Sequence, residues 1–270
     1  MVRTSGLYDK RMERNETAFC SLWTDHIRIN NCADLFMNTR LTGDYFFNRL
    51  NPFVSRDPRA VIEKAAIVCL KMGSDCYVHT HDLDSETQKS LLEAGFQCID
   101  TMQILRNDLR KVSYDEDKIC VVRVVWRSIP SWVDTFCRSF DVLEWKTDVK
   151  EIISLHLKKL VLLLSYVRIS DTSAEVAGCA ALFAKQGRLG LYCLGTVSQF
   201  RKLGIAKKMI GVSLRIAQQN QLKSSLFLQT FTKDGLVPFY EKLGFSLVYK
   251  KRVYALKRDL IRARLCDQHL

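Results

Sequence analysis

Hydrophobic positions in the second half of the chain change repeatedly between the two-residue period of strands and the 3.6-residue period of helices. Apolar runs predict strands at residues 119–126, 161–169, 176–185, 189–197, 226–230 and 246–256. Helical spacing predicts helices from Pro130 to about Phe140, over 149–160, over 205–219, and in a short segment that ends before Gly244. This order predicts a fold of the α/β (α+β) class, with a mixed central sheet flanked by helices.

The first half of the chain repeats part of this pattern. A strand at 76–81, a helix over 85–94 and a strand that runs to Leu109 parallel the run 226–260. In both runs the helix ends in Gly-Phe, and the following strand closes on Arg and Asp-Leu. The internal repeat predicts two similar domains in tandem, residues 1–110 and 118–270, joined by a charged linker over 111–117.

Composition narrows the class of protein. Of the 270 residues, 47% are hydrophobic, which suffices for two cores, and the formal net charge is +12. Residues 1–110 carry 14 basic and 15 acidic side chains, so the basic excess lies in the remainder. It can serve nucleotide phosphates, a nucleic-acid surface or only solubility. Tyr249 and Tyr254 are the only aromatics among the C-terminal basic clusters, so a nucleic-acid partner is not expected.

The ten cysteines are scattered without a C-x-x-C pair, which predicts free thiols in a reducing compartment. Cys76, His79 and His81 resemble a metal cluster, but no second cluster completes it. We interpret it as a polar strand face and expect no metal. Residues 1–16 lack an apolar signal core, and the longest aliphatic run, 160–164, is too short to cross a bilayer. We therefore expect a cytoplasmic protein without a membrane partner.

The strongest candidate site is the junction of a strand and a helix at residues 196–208, which we call the strand-to-helix corner. The apolar run stops at Val197, passes through polar and basic residues, and continues as the helix that starts at Ile205. Such a corner directs free backbone N–H groups at one point, where the helix dipole also favours negative charge. Gly204 has no side chain, so a ligand can approach the backbone closely. A diphosphate fits these properties.

Two motifs resemble a known family. The spacing Arg201-x-x-Gly204-x-Ala206 is similar to the Q/R-x-x-G-x-G/A signature of the GNAT acyl-CoA-dependent acyltransferases. The sequence Pro-Phe-Tyr-Glu-Lys-Leu-Gly-Phe, which contains Tyr240, is similar to the family's late helix. Two departures are Lys202, where a second glycine is common, and Lys233, where the family often has an asparagine near the cofactor. The resemblance covers residues 118–260 and implies the GNAT fold there.

The same resemblance implies that the first domain is a degenerate GNAT-like copy without catalytic function. Its counterpart of the pyrophosphate helix, predicted over 59–72, follows Arg56-Asp57-Pro58-Arg59, which contains no glycine. Leu91 or Leu92 stands where the second half has its tyrosine. A loop with Asp57 and a rigid proline offers poor geometry for an anion.

The resemblance also implies the site of the second domain. Backbone amides from Lys202 to Lys207 hold the pyrophosphate of acetyl-CoA or another short-chain acyl-CoA, and the end of the preceding strand pairs with the pantetheine arm. The implied cofactor-binding residues are Leu194, Thr196, Val197, Arg201, Lys202, Leu203, Gly204, Ile205, Ala206 and Lys207. The N–H of Val197 is the expected oxyanion donor, and Tyr240 is expected to protonate the departing sulfur.

The implied reaction is N-acetylation of a primary amine on a small molecule or peptide. The general base is not visible, because Leu191 and Cys193 are apolar where some relatives carry histidine or a carboxylate. Glu144 or Glu175 can act only through a relayed water. Two alternatives stay open. The absent base suits a non-catalytic acyl-CoA sensor or scaffold, and the tandem arrangement with a basic half suits an aminoacyl-tRNA-dependent transferase.

Overall fold

The computed structural model describes residues 9–110, 112, 118–219 and 225–267, so most of the predicted linker lies outside the described residues. Within the described part, the chain forms two compact units. Unit 1 is drawn from Met1–Ala18, Ile104–Gln229 and Leu236–Val248, and unit 2 from Phe19–Gln103, Thr230–Gly235 and Tyr249–Leu270. These units combine segments from both halves of the sequence and differ from the predicted division into 1–110 and 118–270, which stays a prediction about independent domains.

Eight α-helices are described: α1 (Lys10–Cys20), α2 (Pro58–Lys71), α3 (Ser85–Glu93), α4 (Ile129–Phe140), α5 (Lys146–His156), α6 (Ile205–Gln219), α7 (Val237–Lys242) and α8 (Arg258–Asp267). Proline opens α2 and lies in the first turn of α4, where its missing N–H costs no helical hydrogen bond. None of the helices described is long and apolar enough to cross a membrane.

Eleven strands are described: β1 (Asp25–Ile29), β2 (Ala33–Met37), β3 (Arg49–Leu50), β4 (Cys76–His81), β5 (Gln97–Asn107), β6 (Ile119–Arg123), β7 (Leu160–Ser170), β8 (Ser173–Lys185), β9 (Arg188–Thr196), β10 (Leu226–Phe231) and β11 (Ser246–Leu256). The predicted strand 119–126 is shorter than expected, because a 3₁₀ turn occupies Trp126–Ser128. The predicted helix 149–160 begins and ends earlier, as α5.

In unit 1 the strands lie in the order β5-β10-β9-β8-β7-β6. The pairs β6–β7, β7–β8 and β8–β9 are antiparallel, and β9 pairs with β10 in parallel. One face carries an apolar core in which buried residues of α6, such as Met209 and Leu214, pack with Leu191, Leu228 and Tyr240. The mixed sheet flanked by helices confirms the predicted fold class.

In unit 2 the strands lie in the order β1-β2-β3-β4-β11-β5. The pairs β1–β2, β2–β3 and β4–β11 are antiparallel, and β3 pairs with β4 in parallel through Leu50 and Val78. The strand beside β4 is therefore the last strand of the chain, whereas β5, which follows β4 in the sequence, lies beside β10 in unit 1. Each half of the internal repeat thus places its closing strand next to the other half's preceding strand.

The N-terminal helix α1 belongs to unit 1 through a buried asparagine. Asn15 is fully buried, and its Nδ2 group donates to the carbonyls of Phe183, Lys185 and Arg188 at 3.2, 3.4 and 2.9 Å. Its Oδ1 atom accepts a hydrogen bond of 2.8 Å from the hydroxyl of Tyr192. This one side chain therefore forms hydrogen bonds both with the β8–β9 hairpin and with Tyr192 of β9.

We expect Asn15→Leu to lower the free energy of unfolding by about 2 kcal/mol, because it removes four hydrogen bonds made by a fully buried side chain. Tyr192→Phe removes only one of these bonds and should cost about 1 kcal/mol. Urea denaturation of both variants and of the double variant measures the coupling between the two side chains. A change below ~0.5 kcal/mol for Asn15→Leu, typical of an ordinary surface position, would contradict this role.

Candidate active site

The strand-to-helix corner forms where the sequence predicts it. Strand β9 ends at Thr196, a 3₁₀ turn covers Ser198–Phe200, and α6 starts at Ile205, with its first bond from the N–H of Lys208 to the carbonyl of Gly204 at 2.9 Å. Gly204 has φ +87°, a conformation that glycine adopts without penalty. The turn therefore depends on glycine for its backbone geometry.

The backbone amides of residues 202–207 converge at this helix start. Within the described residues we find no acceptor for these N–H groups, as expected for the first turn of a helix. A Cβ atom at Gly204 would meet only Ile119 Cδ1, at 4.0 Å, so the space above the glycine is open. Lys202 and Leu203 are exposed, and Lys207 is half-buried. Amide donors, a helix dipole and nearby lysines together suit a phosphate group.

The side chain of Arg201 donates to two backbone carbonyls beside the corner. Its Nε atom donates to the carbonyl of Thr196 at 3.3 Å, and one terminal nitrogen donates to the carbonyl of Ser139 at 3.4 Å. Ser139 lies in the last turn of α4, and Asp141 follows in the left-handed conformation that ends the helix. Arg201 therefore ties the end of α4 to the end of β9, beside the corner.

Strand β9 contains a bulge that the sequence does not reveal. Cys179 of β8 pairs with Gly195 and Ala181 pairs with Tyr192, so Cys193 and Leu194 together oppose one residue. Cys193 has φ +51°, and the described pairing gives Leu194 no partner residue. A bulge reverses the alternation of side chains and leaves its extra residue outside the ladder. Leu191 and Leu194 accordingly contact the same core cluster.

The bulge lies where β9 separates from its other neighbour. Parallel pairing between β9 and β10 is described from Leu189 with Leu226 to Leu191 with Leu228, although β9 continues to Thr196. Among the described residues, no pairing with β10 is found for residues 194–196 of β9. An extended ligand can add to such an edge through main-chain hydrogen bonds.

The structure corrects the role predicted for Val197. Its N–H donates to the carbonyl of Ala177 at 2.9 Å, and the side chain is buried. This N–H is already engaged in a protein hydrogen bond, so it cannot also serve as the oxyanion donor. The bulge at Cys193 and Leu194 shifts the alternation of the strand, so that the N–H of Val197 faces Ala177 of β8.

Tyr240 lies in α7 and is 6% exposed. Its ring makes edge-on contacts with Phe239 and Phe245, with ring centroids 5.2 and 5.9 Å apart. The same core cluster holds Val197, and Leu194 packs against it. The structure thus brings the predicted tyrosine and the end of β9 into one cluster, whereas the amides of residues 202–207 lie at the start of α6.

The predicted carboxylate bases do not lie in this cluster. Glu144 is exposed in a 3₁₀ turn between α4 and α5, and Glu175 is exposed on β8, opposite Val167. A buried carboxylate that the sequence analysis missed is Glu16 of α1, which accepts a hydrogen bond of 3.2 Å from Gln229 of β10. No sequence signal separates Glu16 from Glu13, the half-buried acid of the same helix.

The first half of the repeat has a different helix start. The carboxylate of Asp57 caps α2 by accepting a hydrogen bond of 3.0 Å from the N–H of Ala60. A carboxylate at this place both uses an amide that a phosphate would need and repels an anion. The absence of glycine in the sequence therefore corresponds to a helix start that is closed to phosphate.

Cys76, His79 and His81, interpreted as a polar strand face, lie in β4 and differ in burial. Cys76 and His79 are fully buried in β4. Burial, reinforced by Arg49 and Lys251, lowers the pKa of His79 well below its usual value, so the ring is neutral. Its Nε2 atom makes a hydrogen bond of 2.9 Å with the carbonyl of Tyr45. Among the described residues, no group of three or more potential ligands could hold a metal ion.

A family model described as the acetyltransferase (GNAT) family matches residues 130–245. These residues are a GNAT-family domain. The GNAT domain extends from α4 to Phe245 and includes the bulge, the strand-to-helix corner and Tyr240. Enzymes of this family generally use acyl-CoA as the acyl donor and act on amine acceptors.

Known proteins resemble the chain in sequence and in fold. Over 70 residues it is 30% identical to N-alpha-acetyltransferase 50 of Danio rerio, a match that covers 26% of this chain and only 42% of that relative. A GCN5-related N-acetyltransferase from Kribbella flavida has a TM-score of 0.67 at 12% identity and covers 91% of this chain and 94% of its own.

A tandem GNAT protein from the clavulanic acid biosynthesis pathway has a TM-score of 0.59 at 9% identity and covers 84% of this chain and 78% of its own. At such identities the structural similarity concerns the fold alone. It confirms the predicted tandem GNAT fold.

Lys202 stands where the family signature often has a glycine, and its backbone adopts a conformation that favours glycine. It has φ +66°, a conformation that costs a residue with a Cβ atom roughly 1–2 kcal/mol. We expect Lys202→Gly to raise the free energy of unfolding by about 1 kcal/mol over Lys202→Ala, which removes the same charge but keeps the backbone strain. Equal urea midpoints for the two variants would show that this position carries no strain.

Proposed function

We propose that this chain transfers an acetyl or other short acyl group from acyl-CoA to a primary amine. The row of N–H groups over residues 202–207, which have no acceptor among the described residues, is the observation that carries the proposal. The GNAT-family match over 130–245 and the similarity to an N-alpha-acetyltransferase support it.

The residues present fit an acyl-CoA donor. Amides of 202–207 would bind the pyrophosphate, with the ammonium groups of Lys202 and Lys207 adding positive charge nearby. The edge of β9 over residues 194–196, which the described pairing does not join to β10, would hold the pantetheine amides in the manner of an added strand. The donor supplies a thioester-activated acyl group and a thiol as leaving group. Arg201, bound to the carbonyls of Thr196 and Ser139, would keep the corner rigid while the donor binds.

The bulge supplies the oxyanion donor in place of Val197. Leu194 has no partner in the described strand pairing, so its N–H is suited to polarise the thioester carbonyl. Tyr240 would donate its hydroxyl proton to the departing sulfur. The acceptor amine must first lose a proton, since a lysine-like ammonium has a pKa near ~10.4. Glu144 or Glu175, acting through water, stays the prediction for this base.

The decisive experiment measures release of CoA thiol with acetyl-CoA and a panel of amines, including peptides with a free N-terminus and peptides with an internal lysine. Transfer predicts thiol release that depends on the amine, and mass spectrometry should find the acetylated product. Binding of acetyl-CoA without release for any amine would favour the sensor. Failure to bind acetyl-CoA, combined with transfer from an aminoacyl-tRNA, would favour the second alternative.

The first half of the chain is proposed to lack a donor site of its own, because Asp57 occupies the helix start that corresponds to the corner. Its contribution to the reaction is then structural. The cytoplasmic location and the small-molecule or peptide acceptor stay predictions.

A further inference from the structure

Two consecutive residues of α1 bind two neighbouring strands of unit 1. The hydroxyl of Tyr192 on β9 donates to Asn15 at 2.8 Å, and Nε2 of Gln229 on β10 donates to the carboxylate of Glu16 at 3.2 Å. Tyr192 and Gln229 each follow the last described pair between these strands. All four residues belong to unit 1. Helix α1 therefore bridges β9 and β10 at the point where their described pairing ends.

These side chains lie on the face of the sheet opposite α6. The last described pair of β9 and β10 packs in the core cluster that contains α6, and side chains alternate along a strand, so Tyr192 and Gln229 point to the other face. A Cβ atom at Gly190 would meet the Tyr192 ring at 2.4 Å, so the ring lies across the bare backbone of this glycine. The carboxylate of Glu16 is bound on the same face.

Other contacts attach α1 to the sheet, so the helix does not need Glu16 for its place. Arg188 donates two hydrogen bonds to Oδ2 of Asp9, at 3.0 and 2.7 Å. Asn15 donates to three carbonyls of the β8–β9 hairpin. Glu16 is nevertheless fully buried, and burial of a carboxylate is unfavourable unless it is bound. A buried acid beside a candidate site is therefore a candidate for a chemical role.

The same stretch of β9 carries the candidate oxyanion donor. Leu194 lies two residues beyond Tyr192, which is at most roughly 7 Å along a strand. An amine held between β9 and β10 would therefore reach the carboxylate of Glu16 directly or through one water, the reach that a general base requires. Glu144 and Glu175 are exposed and lie outside this cluster.

We infer that Glu16 is the general base of acyl transfer, whose carboxylate binds the ammonium group of the acceptor and removes the proton that prevents attack. The inference rests on the proposed function and selects acceptors that arrive as cations. Attack by the free amine forms the C–N bond, and the C–S bond then breaks. The nitrogen loses two protons in all. One balances the proton taken up by the departing sulfur, and the other passes from Glu16 to solvent.

The test uses three variants of the full chain. Glu16→Gln keeps the shape of the side chain and removes its charge, and Glu16→Asp keeps the charge but withdraws the carboxylate by one methylene group. The matched control is Glu13→Gln, which removes the charge of a half-buried acid in the first turn of the same helix. Thermal midpoints establish that each variant is folded.

Acceptor basicity separates a base from a structural residue. The assay compares an amine that the parent acetylates with a fluorinated analogue, whose nitrogen is less basic and mostly neutral at neutral pH. For the basic amine we expect kcat to fall ~10²-fold in Glu16→Gln and ~10-fold in Glu16→Asp, because the ammonium no longer meets a well-placed acceptor for its proton. For the analogue, Glu16→Gln should lose less than ~10-fold. The KM for acetyl-CoA should change by less than twofold, and Glu13→Gln should behave like the parent.

Equal losses for the two amines would overturn the assignment, because a structural defect does not depend on the basicity of the acceptor. If Glu16→Gln does not fold, the same comparison in Glu16→Asp decides. A loss that depends on basicity in Glu144→Gln or Glu175→Gln, with none in the variants at Glu16, would also overturn it. An active parent with an unaffected Glu16→Gln contradicts the base alone. A parent that binds acetyl-CoA but acetylates no amine contradicts the proposed function, and the base with it.

Discussion

Replacing Tyr240 with phenylalanine is expected to lower kcat about 10²-fold, the usual scale for losing a positioned general acid, while the fold and the affinity for acetyl-CoA hardly change. The substitution keeps the ring and its edge-on contacts with Phe239 and Phe245 and removes only the hydroxyl. The loss of kcat has an upper limit, because a CoA thiol with a pKa near the ~8.5 of cysteine can leave as a thiolate without assistance.

The measurement is kcat across pH with an amine that the parent acetylates. The matched control is Tyr166→Phe, which removes the hydroxyl of a half-buried tyrosine on β7. We expect the loss only at position 240, and the largest loss at low pH, where an unassisted thiolate leaves least readily. A parent-like rate for Tyr240→Phe at every pH would make Tyr240 a packing residue and strengthen the sensor alternative.

Replacing Gly204 with valine is expected to weaken acetyl-CoA binding by more than ~10²-fold. Two physical effects act together. A β-branched residue is strongly disfavoured at φ +87°, so the amides of 202–207 lose their arrangement. The added side chain also enters the open space above residue 204, where only Ile119 lies within 4.0 Å. Gly204→Ala, with less bulk, should show an intermediate loss.

The matched control for this prediction is Gly187→Val. Gly187 has φ +70° in the β8–β9 hairpin turn, and nothing lies within 4 Å of its potential Cβ atom. Both valine variants should lose stability through the same backbone strain, but only the one at position 204 should lose binding in isothermal titration calorimetry. Equal affinity of Gly204→Val and Gly187→Val for acetyl-CoA would show that the strand-to-helix corner is not part of the donor site.

Local sequence patterns predicted several elements completely. The predicted strand 76–81, helix 205–219 and strand 246–256 coincide with β4, α6 and β11. In these segments the apolar period is continuous and ends at polar or turn-forming residues, so local preference and tertiary packing agree. The predicted strand 119–126 was too long, because the strand preference of these residues gives no indication of the 3₁₀ turn at Trp126–Ser128.

The pairing of strands could not be predicted in the same way. In the structure the two halves of the repeat exchange their closing strands, since β11 lies beside β4 and β5 lies beside β10. Strands β5 and β11 end in nearly the same residues. The sequence of one half therefore does not specify which of these two strands pairs with it. The choice depends on the connections of the whole chain.

The candidate site likewise contains features that could be predicted from the sequence and features that could not. Gly204 and the start of α6 were predictable, because a glycine between a strand and a helix has a local physical reason. The bulge at Cys193 was not, since a cysteine at φ +51° is imposed by the register of neighbouring strands. The failure at Val197 and the role of Leu194 both follow from this one unpredicted residue.

The central claim, that acyl-CoA binds at the strand-to-helix corner of the GNAT domain, is tested most directly by the amide resonances of the isotope-labelled chain titrated with acetyl-CoA. The account predicts that the amides of Lys202 to Lys207 shift together and saturate at one equivalent, while those of Arg59 and Ala60, at the start of α2 in the other half of the repeat, stay unchanged. Saturable shifts at residues 59 and 60 with none at 202–207 would contradict it.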